Sequence, residues 1–355
     1  MSTIDLMNDA TLQTINANLK ECNIYLKNIS EGKTFSPTDI QTISDISKSG
    51  LAKRYFHEGD QIVVTYTSTS GTQYSMPWDM YLGKSATLAD GTTREGIYLQ
   101  SHYVTPEPIA FDAPEIEVAT EPTATAGLYY YGFDGTNYTL LSLNTGDTVP
   151  YGSYTAVYHN EIKDSTANIC KDGYNRSSHS AAAQWLNSAA LKNAWWTAKH
   201  IGDCAPVHLG TYNGFLAGMP TDFINAIETI KVPRLLNTIS EPDKNIASET
   251  FNAKFFLPSL EQMYITPQVA GVEGDAWEYY KALALAASLP GKFAQGGTYT
   301  PLISYALENN SSAQNVRLGS ATRGNSYSTW NISTSGNVDS HSARYMFRCR
   351  PACFI

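Results

Sequence analysis

The reading of this chain turns on residues 315–355: NVRLGSATRGNSYSTWNISTSGNVDSHSARYMFRCRPACFI. Leu318, Trp330, Ile332, Gly336, Val338, Phe347 and Pro351 alternate here with small polar residues, Tyr, His and Arg. Such alternation marks strands that bury one face and display the other. After Gln314 there is no Lys, Glu or Gln, although all three occur earlier in the chain. An ordinary solvated surface uses those long side chains freely. What remains is Asn, Ser, Thr, Asp, Tyr, His and Arg, a palette close to that of antibody-type paratopes. The stretch therefore reads as a displayed binding surface. Leu318, Trp330, Ile332, Val338 and Phe347 are expected to hold its strands. Arg323, Asn325, Tyr327, Ser328, Thr329, Asn331, Ser333, Asn337, Asp339, Ser340, His341, Ser342, Arg344 and Tyr345 are expected to face a partner. Tyr327 and Tyr345 bring rigid amphipathic area, and Arg323 and Arg344 bring charge and stacking.

The rest of the chain narrows the class. Its 355 residues carry a net charge of −9, with 12% aromatic and only 16% charged residues, which fits a folded, β-rich protein with ample sequence for a core. The acidic balance gives no electrostatic support for nucleic-acid binding. No apolar run approaches the roughly 20 residues of a membrane span, and MSTIDLMNDATL lacks the layout of a signal peptide. Synthesis in the cytoplasm without a signal peptide is the expectation. Cys22, Cys170, Cys204, Cys349 and Cys353 are odd in number and form no CxxC pair, so reduced thiols fit better than a disulfide framework or zinc site.

In chain order, Leu12, Ile15, Leu19, Cys22, Leu26 and Ile29 step by 3 and 4, the spacing of a heptad seam. Such a seam either packs on its own domain or joins copies, and its β-branched positions suit more than two strands, a trimer included. Gly32 is expected to end this helix, and Ser36-Pro37-Thr38-Asp39 to start a second that Gly50 closes. Period-two strands follow at Ile62 to Tyr66, Tyr74 to Leu82 and Gly96 to Ser101. The Pro-rich stretch from Pro106 to Pro122 reads as a connection. Leu128 to Tyr131, Tyr138 to Leu143 and Tyr154 to Tyr158 form a small β insertion. Asp164 to Arg176 is loop-like, and a helix begins near Ser180. Pro220-Thr221-Asp222 opens another, with Phe223, Ile227 and Ile230 inward. Phe255 to Leu257 is a buried strand. Ser259-Leu260-Glu261-Gln262 is a capping box, and Ala276 to Ala287 a helix.

A set of ordered motifs now points to a family. Gln184-Trp185-Leu186-Asn187-Ser188, Trp195-Trp196-Thr197, Asn213-Gly214-Phe215-Leu216 and Phe256-Leu257-Pro258-Ser259 lead to Val316-Arg317-Leu318-Gly319-Ser320. Trp330-Asn331-Ile332, Ser335-Gly336-Asn337-Val338 and Arg350-Pro351-Ala352-Cys353 complete the series. This order resembles the variable proteins of diversity-generating retroelements of gut bacteria and their phages. The likeness is strong over the C-terminal half and weaker at Met76-Pro77-Trp78-Asp79 and Ile97-Tyr98-Leu99-Gln100. It implies an α+β chain with a C-type lectin-like domain over 55–355, a β insertion at about 113–158 and a variable region at 315–355. A helical attachment or oligomerisation segment occupies 1–54. In that family a reverse transcriptase randomises adenines, mostly in asparagine-type codons, which can become Asn, Ser, Thr, Asp, His, Tyr, Arg, Gly or Ala but not Lys, Glu or Gln.

The resemblance implies a non-enzymatic protein without a cofactor, binding a cell-surface or other macromolecular ligand. It would act from a virion (phage tail or surface) or from a bacterial cell surface. Two other readings stand beside it. Formylglycine-generating enzymes share this general fold and use a cysteine pair near the end of the chain, where Cys349 and Cys353 lie here. Calcium-dependent lectins use motifs like Glu241-Pro242-Asp243 and Trp330-Asn331, but Ile332 stands where such a site wants Asp. The histidines show no paired zinc spacing, and Gly296-Gly297 is too short for a phosphate loop.

Overall fold

The computed structural model describes residues 9–30, 36, 38–118, 122–161, 168–200, 202–240, 247–287, 302, 304–307 and 310–355. Gly32, Pro37, Glu241-Pro242-Asp243 and Gly296-Gly297 lie outside them, as does the side chain of Ile29. The described chain is α+β.

The helices are α1 (Asp9–Ser30), α2 (Ile40–Lys48), α3 (Ala52–Tyr55), α4 (Asn168–Asp172), α5 (Ala181–Leu186), α6 (Thr221–Ala226) and α7 (Glu278–Ala286). The strands begin with β1 (Gln61–Thr67), β2 (Gln73–Thr87), β3 (Thr93–Ser101), β4 (Ile109–Ala110), β5 (Glu117–Val118), β6 (Tyr129–Phe133), β7 (Tyr138–Leu140) and β8 (Ala156–Asn160). They continue with β9 (Ile230–Leu235), β10 (Ser248–Ala253), β11 (Phe255–Phe256), β12 (Ser304–Leu307), β13 (Asn310–Gln314), β14 (Val316–Ala321), β15 (Ser328–Ile332), β16 (Val338–Ser342), β17 (Met346–Cys349) and β18 (Ala352–Phe354).

One sheet, in the order β1-β2-β3-β18-β11, is the spine. Its residues alternate between two cores. Trp78, Met80, Ile97, Leu99, Phe255 and Cys353 enter one core, which α2, α5 and α6 cover. Tyr81, Tyr98, Phe256 and Phe354 enter the other, which Trp277, β9 and the second sheet cover. With both faces buried, this sheet carries much of the apolar burial that drives folding. Trp78 sits 5.3 Å from the Phe223 ring and 5.6 Å from Phe255, and truncating a residue of this size in a core costs about 3–5 kcal/mol. The C-terminal strand β18 pairs with β3, so the end of the chain is locked into the spine.

The second sheet runs β16-β15-β14-β17-β4, with β14 and β17 parallel and their other neighbours antiparallel. The expected insertion forms a separate sheet, β5-β8-β6-β7, with its own small core around Tyr130 and Val157. The first four helix and strand expectations hold closely: Asp39 caps α2 through the Thr42 amide at 2.9 Å, and Gly50 takes φ 72° just after it.

Four places differ from expectation, the first being the Pro106 to Pro122 connection, which supplies β4 to the second sheet and β5 to the insertion sheet. Ile230 is not on the helix of Phe223 but opens β9, which pairs with β10 as a hairpin. Pro233 is accommodated in this two-stranded ribbon, where a proline costs little. The stretch 164–176 contains α4 rather than loop alone. At Ser259 the capping-box bonds form, Ser259 N–H to Gln262 Oε1 at 3.0 Å and Gln262 N–H to Ser259 Oγ at 3.1 Å, but the chain makes only a turn there.

Helix α1 docks with the stripe Ala17, Glu21, Ile24 and Asn28. Arg54 reaches Glu21 at 2.9 Å, Lys27 reaches Asp45 at 2.6 Å, and Lys20 donates to the Ser49 carbonyl at 2.9 Å. The heptad residues fall about opposite, because two positions turn a helix by roughly 200°. Leu12, Ile15, Leu19 and Leu26 are 46, 40, 59 and 62% exposed, and Cys22 is exposed beside them. The seam is therefore not spent on the helix's own domain. Among the described residues, no helix is long and apolar enough to cross a membrane.

Candidate functional site

The second sheet sorts the candidate residues by register. Arg317, Asn331 and Asp339 lie abreast across β14, β15 and β16, and Thr329 pairs with His341. These form the outer face. Ile332 pairs with Val338, Trp330 with Ser340 and Ser328 with Ser342, which places those six on the core side. Trp330 is half-buried against the second core, its indole N–H turned toward Gln268 at 3.5 Å.

Two buried polar side chains fix the connections at one end of this sheet. The first is Asn175, just beyond α4 and fully buried. Its Nδ2 donates to the carbonyls of Thr322 (3.1 Å), Asn325 (2.9 Å) and Ser328 (2.9 Å), and its backbone N–H to Ser326 O (2.9 Å). Its Oδ1 accepts from Asn237 Nδ2 at 2.9 Å, which fixes the amide's orientation. The β14–β15 loop is thus held from beneath. The second is Arg317, fully buried in β14. One terminal nitrogen donates to Thr329 Oγ1 (2.6 Å) and His341 O (3.0 Å), the other to Ser342 O (3.1 Å) and Tyr345 O (2.9 Å). The guanidinium lies 4.4 Å from the Phe347 ring centroid, a cation–π contact. Burial depresses its pKa to about 9, so it stays protonated at neutral pH.

Seven of these bonds end on main-chain oxygens of residues 322–328 and 341–345. Main-chain oxygens are present whatever side chain the residue carries. The loops are shaped by Asn175 and Arg317 more than by their own sequence.

The expected surface set divides accordingly. Asp339 and Tyr345 are exposed, and His341, Arg344 and Tyr327 are half-buried near them. The His341 and Tyr345 rings stand 6.2 Å apart, and Arg344 lies 5.4 Å over Tyr345. Arg344 also reaches Asp172 Oδ1 at 2.9 Å. This is the cluster the structure brings together. Ser333 and Asn337 sit at the opposite end of the β15–β16 hairpin, about 17 Å away along a five-residue strand, where Ser333 Oγ accepts from the Asn337 amide. Arg323 turns away to the carbonyl of Leu236 at 3.1 Å. Asn325 spends its side-chain Oδ1 on Tyr327 N–H and Ser328 N–H, shaping its own loop.

Three residues correct the sequence reading outright. Ser328, Thr329 and Asn331 are 6, 0 and 0% exposed. Ser328 faces the core side, Thr329 lies under Arg317, and Asn331 is covered by His341, whose Nδ1 meets its Oδ1 at 2.8 Å. A buried guanidinium demands polar neighbours, so polar residues here mark its surroundings rather than solvent. Phe347, expected inside, is half-buried on the outer face, 5.3 Å from the His341 ring. Period two carried that signal, since residues 345 and 347 share a side of one extended run. Asp172 joins the cluster through Arg344 with no signal in the sequence.

The chain belongs to the family defined by a domain of unknown function (DUF6273), which matches residues 150–355, more than half of its length. That span contains β14 to β17 of the second sheet and both anchors. No curated protein and no solved structure matches the chain.

Proposed function

We propose that this chain is a non-enzymatic binding protein that displays a diversified surface on a C-type lectin-like fold. It is the variable protein of a retroelement system, serving as a phage receptor-binding protein or a bacterial surface adhesin. One observation carries the reading: Asn175 and Arg317 hold the surface loops through main-chain oxygens, so much of the loop backbone is held without the side chains of Tyr327, Asp339, His341, Arg344 and Tyr345. Exposed side chains on such a frame change with little loss of stability. The absence of Lys, Glu and Gln after Gln314 supports the same conclusion. Comparison of this locus between closely related isolates tests it, because codons for the exposed cluster should differ while those of the anchors do not.

The exposed heptad seam supports a homo-oligomer, a trimer among the forms its spacing allows. Weak single sites gain avidity when copies act together. Light scattering is expected to give a multiple of the chain mass, and Leu19→Asp with Leu26→Asp to reduce it to one. A monomeric wild-type protein would refute the assembly.

The oxidase reading draws no support from the geometry. Cys349 and Cys353 are fully buried, and burial pushes the Cys349 thiol up to about 12 and Cys353 well above its ordinary value. A reactive cysteine wants a partly exposed, electropositive setting. Among the described residues no three His, Cys, Asp or Glu side chains are grouped to hold a metal ion.

A further inference from the structure

A cleft of about 320 Å³ opens where the insertion meets the segment from α4 to Asp203. Two acids in its wall set its chemistry. Asp112 is 5% exposed, and its oxygens accept the amides of Tyr174 at 3.1 Å and Ala181 at 3.3 Å. Glu115 is 6% exposed and its Oε2 makes no hydrogen bond, the nearest ring nitrogen, His159 Nδ1, standing 3.8 Å away. Among the described residues no Lys or Arg forms an ion pair with either. The one arginine lining the cleft, Arg176, is bound to Glu249 at 2.8 Å.

Two further charged groups in the wall, Asp203 and His200, are matched to one another. Asp203 Oδ1 stands 3.4 Å from His200 Nδ1, and His200 Nε2 meets His179 Nδ1 at 2.9 Å. The two rings share a proton: His200 is raised despite burial, by its bond to Asp203, and burial and His200 hold His179 down to about 4. Among the described residues, Asp112 and Glu115 are left as buried acids without a Lys or Arg partner. Burial first, then the charge of Asp203, pushes them up to about 8 and about 9.

We propose that this cleft binds a small organic cation, an alkylammonium or guanidinium group, held by Asp112 and Glu115. The volume falls at the small end of ligand pockets, about 300–1,000 Å³. An unbonded carboxylate oxygen nine-tenths buried in its wall needs a donor, and a charged one satisfies it best. A bound cation favours the ionised forms of Asp112 and Glu115 and an anion does not, so the cleft selects for positive charge. The donor set does not suit a metal ion, since both Asp112 oxygens are turned to backbone amides. The inference stands apart from the display surface, because no residue of that surface is used.

The test is calorimetric titration of the full chain with butane-1,4-diamine and with methylguanidine, alongside acetate and inorganic phosphate. Saturable binding of at least one cation, with Kd below about 1 mM, is expected, and the same cation should raise Tm. Glu115→Gln keeps the shape and removes the charge, so it should fold with unchanged circular dichroism and bind at least about tenfold more weakly. Asp112→Asn should weaken binding in the same direction. The proposal is overturned if neither cation binds below about 10 mM, if either anion binds instead, or if both variants bind as the wild type does.

Discussion

Asn175→Ala is expected to lower the free energy of unfolding by about 3–4 kcal/mol, measured by urea denaturation. The substitution strips donors from the carbonyls of Thr322, Asn325 and Ser328 and the acceptor from Asn237 Nδ2, at a fully buried site. Each buried group left without a partner costs about 1–3 kcal/mol, and loop relaxation toward water recovers part of the total. Asn175→Asp is the sharper comparison because it keeps the shape. A carboxylate would turn an acceptor on three carbonyls, so at neutral pH its loss should exceed that of Ala. The sign with pH follows. Burial among carbonyls raises the introduced acid's folded pKa above its unfolded value of about 3.9, so its stability is greatest below that value and falls as pH rises. The Asp variant should therefore recover on acidification relative to the Ala variant. Equal stability of Asn175→Asp and wild type at neutral pH would contradict the donor role.

Arg317→Met should cost about 2–4 kcal/mol and speed hydrogen exchange of the Ala343 and Tyr345 amides. Two terms oppose one another. Four charge-assisted bonds to Thr329, His341, Ser342 and Tyr345 are lost, each worth about 1.5–3 kcal/mol. Against this, removing the cation relieves a burial penalty of several kcal/mol, since among the described residues no carboxylate pairs with it. The bonds win because methionine strips the guanidinium donors from three carbonyls and a hydroxyl, of which the Ser342 carbonyl keeps a partner in the Tyr345 amide. Arg317→Lys should recover less than half of the loss, because a single ammonium cannot serve both groups of acceptors that the planar fork reaches. A fully stable methionine variant would show that the β16–β17 connection holds itself.

The spine of the fold was legible because period two does not depend on what covers a sheet. Residues 62–66, 74–82 and 96–101 read as strands and are strands. The β9–β10 hairpin was not, since Phe223, Ile227 and Ile230 satisfy a helical spacing while Ile230 and Val232 satisfy a strand's, and the two overlap at the junction. The candidate site was half legible. Tyr345, Asp339 and His341 lie outward as their types suggest, but Thr329 and Asn331 are covered by a cation whose burial no local pattern announces. Arginine is rarely fully buried and no spacing marks Arg317 as an exception, so its polar neighbours read as surface. Asn175 stood in an apparent loop, and its role depends on carbonyls about 150 residues away, a separation that hydrogen bonding in three dimensions alone reveals. The seam of α1 was legible in spacing, and its exposure came only from seeing which stripe docks.

The most direct measurement is the codon-by-codon variation of this locus across sister isolates. The account predicts replacement at Tyr327, Asp339, His341, Arg344 and Tyr345, confined to residues other than Lys, Glu and Gln. It predicts constancy at Asn175, Arg317, Leu318 and Val338. Variation no greater in the first set than in the second, or Lys and Glu appearing freely in the first, would contradict it.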